Sequence, residues 1–126
     1  MSPVRWKGRT GEAFLSRERG GLVAGAIRRL VIEGRYELSK HAEREREADM
    51  IPMAALEEAL SNCQAIEEYP DDPRGASCLV LGFSGQRPIH AVCTVKSDPE
   101  ELFLITVYDP SKSSECWTDQ YRRRAR

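Results

Sequence analysis

The chain has 126 residues, 40% of them hydrophobic, and a net charge of −1. That length suits one domain with an ordinary core, and no apolar run approaches the roughly 20 residues of a membrane span. Cys63, Cys78, Cys93 and Cys116 stand singly with no Cys-x-x-Cys pair, so no metal and no other cofactor is expected.

Residues 1–21 carry Gly8, Gly11, Gly20 and Gly21 among arginines and glutamates, and read as a basic, irregular extension, with a short helix around Glu12 to Glu18 as the alternative. They lack the apolar core of a signal peptide, which sets the expectation of a cytoplasmic protein without membrane association. A single α+β domain is expected over residues 22–126. It opens with a helix at 22–33, where Leu22, Val23, Ala26, Ile27, Leu30 and Val31 share one face. Gly34 stops it, because glycine takes the left-handed conformation without a steric penalty.

Residues 36–38 read as a short strand, and Ser39 as the cap of a helix over 40–49. That helix has almost no apolar stripe, so it is either solvated or turned toward a ligand. Pro52 then suits the first turn of a helix buried through Met53, Leu56, Leu60 and Cys63. Strands follow at 65–69, 78–83, 87–96 and 102–108, separated by Pro-, Gly- and Asp-rich turns. The architecture expected is two or three helices packed on one face of an antiparallel sheet of about four strands.

Side-chain alternation in the last hairpin gives a sharper expectation. With its turn centred on Pro99, His90 stands opposite Tyr108. Ile89, Ala91, Cys93, Val95, Phe103, Ile105 and Val107 then form the helix-facing side. His90, Val92, Thr94, Leu104, Thr106 and Tyr108 form the other. A one-residue slip would invert this assignment.

The chain has two histidines, His41 at a helix start and His90 within a strand. Imidazole exchanges protons most readily near neutral pH, so both are candidate site residues. Charge is divided along the sequence. Residues 1–40 hold nine Lys/Arg against four Asp/Glu, residues 41–110 five against fourteen, and residues 111–126 five against two. Basic ends around an acidic middle form a phosphate-binding face if they meet, and solvated tails if they do not.

Four pieces carry a family resemblance: Ser39-Lys40-His41-Ala42; the stretch from Ile66 to Asp72; Gly82 through His90; and Ile105 to Pro110 with Trp117 and the arginine tail. Over residues 36–124 the chain resembles the bacterial domain-of-unknown-function family numbered 4258. The resemblance implies a RelE/barnase-like fold and a toxin-like, metal-independent ribonuclease of a toxin–antitoxin-type system, with RNA and an antitoxin protein as partners. It implies His41, His90 and Tyr108 as catalytic groups, and Arg44, Arg46, Arg122, Arg123 and Arg124 as phosphate holders. Guanidinium matches phosphate oxygens two at a time, whereas Glu45 and Asp49 on the same helix as His41 would repel a polyanion. The alternative is a non-catalytic binding module of the same fold. In that reading His41 bonds locally, His90 fills a pocket, Tyr108 packs at the sheet edge, the arginines are solvated, and Trp6 and Trp117 cover the ends of the core.

Overall fold

A computed structural model describes residues 17–73 and 75–125. Most of the N-terminal extension, with Trp6, lies outside them. Residues 17–21, expected to be irregular, already belong to the first helix, α1 (Arg17–Ile32). Arg17, Glu18 and Arg19 are good helix formers, which offsets the cost of Gly20 and Gly21. The chain continues through β1 (Tyr36–Leu38), α2 (Lys40–Ala48), α3 (Met53–Ser61), β2 (Gln64–Tyr69), β3 (Ser77–Ser84), β4 (Arg87–Lys96) and β5 (Glu101–Tyr108). A 3-10 segment (Pro110–Cys116) and a small hairpin of β6 (Trp117–Thr118) and β7 (Arg123–Arg124) follow.

The main sheet has the order β1-β5-β4-β3-β2. It is mixed where an antiparallel sheet was expected, because β1 pairs with β5 in parallel. The helices pack over one face. Ile27, Leu30 and Val31 from α1, Ala42 from α2, and Leu56, Ala59 and Leu60 from α3 share a core with Val80, Ile89, Ala91, Cys93 and Val107.

His90 does pair with Tyr108, Ala91 with Val107 and Val92 with Thr106. The register then shifts, so that Cys93 meets Leu104 and Thr94 meets Phe103, leaving Ile105 as the extra residue of a bulge. Beyond a bulge the two faces exchange occupants. Leu102 and Leu104 therefore join the core, and Phe103 moves to the His90 side, where Lys96 Nζ lies 4.5 Å from its ring centre. The sequence-based assignment of Phe103 and Leu104 is thus reversed.

A corner between α2 and α3 sets where the helix that bears His41 ends. Met50 there has a φ of 55° and its side chain is largely exposed. Arg87 holds the corner by donating to the carbonyls of Met50 (2.9 Å) and Asp49 (2.6 Å). Met50→Gly is expected to raise stability by about 0.5 kcal/mol, since relief of the left-handed conformation exceeds the entropy glycine adds to the unfolded chain. A urea-unfolding midpoint below that of the native chain would contradict this. Among the described residues no helix is long and apolar enough to cross a membrane.

Candidate functional site

The sheet face opposite the helices carries Glu67 and Tyr69 from β2, His90 from β4 and Tyr108 from β5. The chain folds back over it at Asp109. That carboxylate accepts from Ser111 N–H at 2.9 Å to start the 3-10 segment, while Arg87 Nε holds its other oxygen at 2.8 Å. Burial works to raise the Asp109 carboxyl, but hydrogen bonds from Ser111 and then Arg87 hold it below its usual range. Pro110 is preset for such a turn. The returning segment lays Trp117, Tyr121 and Arg124 across the strands.

His90 is the centre of this arrangement and is fully buried. Its Nε2 lies 2.9 Å from the Tyr121 carbonyl oxygen and its Nδ1 lies 3.1 Å from the Tyr108 hydroxyl. A carbonyl only accepts, which assigns the ring proton to Nε2 and leaves Nδ1 to accept from Tyr108. Burial pushes the His90 pKa down to about 4, against the raising effects of the Tyr121 carbonyl and the Glu67 charge. Burial likewise pushes the Tyr108 hydroxyl up to about 12. The Trp117 ring meets His90 edge-on, with centres 4.3 Å apart.

Beside them Arg124 grips Glu67 with both arms of its guanidinium, Nε to Oε2 at 2.9 Å and Nη2 to Oε1 at 3.0 Å. The Tyr69 hydroxyl donates to the same carboxylate. Arg124 also lies over the Trp117 ring, 4.9 Å from its centre. The hydrogen bond to Glu67 raises the Arg124 pKa, while burial, then the hydrogen bond to Glu67, raises that of Tyr69.

Of the residues singled out from sequence, His90, Tyr108, Trp117 and Arg124 meet here. His41 stands on the solvent side of α2, its side chain 64% exposed and Nε2 3.3 Å from Glu45 Oε2. Arg44 is exposed. Arg46 is committed to Glu43 and to the Ile51 carbonyl. Arg122 donates to Gln64 and Gln120, and Arg123 lies 3.7 Å from Asp119. The five arginines therefore do not form one phosphate clamp.

Glu45 and Asp49 have a role that sequence reading missed. β1 ends at Leu38, leaving the outer edge of β5 open beyond Leu104. α2 closes that edge. The Ser39 hydroxyl donates to Ile105 O at 2.9 Å, Glu45 accepts from Val107 N–H at 3.0 Å, and Asp49 accepts from Asp109 N–H at 2.8 Å. The spacing explains the fit. Four residues of helix advance about 6 Å and two residues of strand about 6.6 Å, so successive carboxylates reach successive outward N–H groups. Glu67 and Tyr69 were missed too, although their two-residue spacing on a strand puts them on one face.

Among the described residues no group of three or more His, Cys, Asp or Glu side chains is placed to hold a metal ion. The model of the family called domain of unknown function, DUF4258, matches residues 38–109. The chain belongs to this family. No curated protein and no solved structure matches it. The match takes in Glu67, Tyr69, His90 and Tyr108 but stops at Asp109, short of the Trp117–Arg124 hairpin that the resemblance had included.

Proposed function

We propose that this chain, in the closed form described, is a non-catalytic binding module of a RelE/barnase-like fold that associates with protein or nucleic acid in the cytoplasm. The observation that carries this reading is the complete burial of His90, with both ring nitrogens engaged internally. A general acid or base must reach a proton on its substrate, and among the described residues both nitrogens of this imidazole are spent on Tyr108 and Tyr121. Arg124 is similarly occupied by Glu67.

A second reading, the toxin-like metal-independent ribonuclease of a toxin–antitoxin-type pair, is favoured by the convergence of His90, Tyr108 and Arg124 on one sheet face. His41 adds an exposed imidazole paired with a carboxylate. Induced expression in bacteria separates the two. The native chain and His41→Ala are expected to leave growth and total RNA equally unaffected. Growth arrest with RNA decay that disappears in His41→Ala would replace the binding reading with the nuclease.

A further inference from the structure

We propose that the sheet face beneath the C-terminal segment is a latent site for cleaving single-stranded RNA, with Glu67 as base and His90 as acid, and that residues 110–125 are its cover. The inference rests on the ribonuclease reading, and adds to it a carboxylate base and a cover that would keep the closed chain inactive. Glu67 and Tyr69 on β2, His90 on β4 and Tyr108 on β5 all project from paired strands inside the family match. Rigid elements of this kind fix catalytic groups better than loops do. Trp117 and Arg124, which close over them, lie outside that match.

The cover is not held by its own backbone preference. Asp119, Gln120 and Tyr121 have φ values of 55°, 56° and 71°, three consecutive non-glycine residues in the left-handed region. Such residues normally occur singly. Ties to the sheet face hold the turn down: His90 Nε2 on the Tyr121 carbonyl, Trp117 against the imidazole, and Arg124 on Glu67. These are the groups a substrate would need. Lifting the cover removes the arginine from Glu67 and returns the imidazole to water, where it protonates near neutral pH.

The reaction then balances without a further reactant. The Glu67 carboxylate takes the proton of a ribose 2′-hydroxyl, and O2′ bonds to the adjacent phosphorus. The P–O5′ bond breaks, and the His90 imidazolium delivers its proton to the departing O5′. The products are a 2′,3′-cyclic phosphate and a 5′-hydroxyl. The Tyr69 and Tyr108 hydroxyls donate to the charged phosphorane oxygens. DNA, lacking the 2′-hydroxyl, is inert.

The test uses the full chain carrying Trp117→Ala and Arg124→Ala, a single-stranded 20-nucleotide RNA and its deoxy counterpart. Hydrogen exchange verifies that residues 110–125 lose protection while β2 to β5 keep theirs. The opened variant is expected to produce cyclic-phosphate ends at least tenfold faster than the native chain, with the DNA intact. Adding Glu67→Gln, or separately His90→Gln, is expected to restore the native rate. If the strands also lose protection, the milder pair Trp117→Leu with Arg124→Gln, which still removes the ring from His90 and the two-armed grip on Glu67, carries the same comparison. An opened, folded variant that leaves the RNA whole, or cleavage that survives Glu67→Gln, overturns the site and leaves the binding reading standing. Cleavage by the native chain overturns the closed, non-catalytic reading, and its loss in Glu67→Gln would leave this site standing.

Discussion

Gly82→Ala is expected to cost the fold about 3 kcal/mol or more and to lower the thermal midpoint by about 10 °C, if the protein remains soluble. A methyl group on Gly82 would lie 1.9 Å from the carbonyl oxygen of Ala59, 2.5 Å from its carbonyl carbon and 3.0 Å from its Cα. These are backbone atoms of α3, so no side-chain rotation relieves the clash. The helix would have to lift from β3, drawing Leu56, Ala59 and Leu60 out of the core they share with Val80. Circular dichroism during heating and a urea titration measure the effect. An unchanged midpoint would mean that α3 can ride farther from the sheet at little expense, contrary to the close packing expected of such an interface.

Local chemistry made much of this fold legible. The Ser39 hydroxyl accepts from Ala42 N–H at 2.9 Å, the cap expected from its place before Lys40. His90 stands opposite Tyr108 as expected, but through two departures that cancel: Lys96 pairs with Glu101, which centres the turn between Asp98 and Pro99, and the extra residue of the bulge restores the offset. What escaped was set by partners distant in sequence. The bulge at Ile105 has no local signature, since β5 is apolar on both sides of it, and it decided which of Phe103 and Leu104 entered the core. β1 joins β5 across more than sixty intervening residues, and nothing in Tyr36-Glu37-Leu38 specifies a parallel neighbour. α2 shows the same difficulty from another side. Its weak apolar stripe implied solvent or a ligand, yet Glu45 and Asp49 serve the backbone of a neighbouring strand. The candidate site was half legible for a related reason. Its histidine and tyrosine share a hairpin, whereas Glu67 enters from another strand and Arg124 from a polar segment that shows no periodicity of its own.

The native chain is expected to lose about 3 kcal/mol of stability between pH 6.5 and pH 4 through His90 alone. Burial lowers this imidazole from an ordinary 6.5 to about 4 in the folded state. Between those values the unfolded chain binds the extra proton and the folded chain does not, so stability rises with pH. The contribution is complete above pH 6.5, falls as acid is added, and is gone below pH 4, where both states are charged. Glu67, Arg124 and Asp109 all act on the ring, and Glu43 and Asp109, whose carboxyls are held low, add their own losses in the carboxylate range below it. A His90→Gln variant separates the imidazole from these carboxylates. Its amide can still donate toward the Tyr121 carbonyl, but it gives up the edge contact with Trp117, so a loss of about 1–2 kcal/mol is expected at pH 7.5. Its acid profile should be shallower, and the two curves should converge or cross by pH 4. Urea midpoints at pH 7.5, 6, 5 and 4 provide the comparison. Parallel curves would mean that acid reaches the imidazole without opening the chain, and that the C-terminal cover leaves it wet.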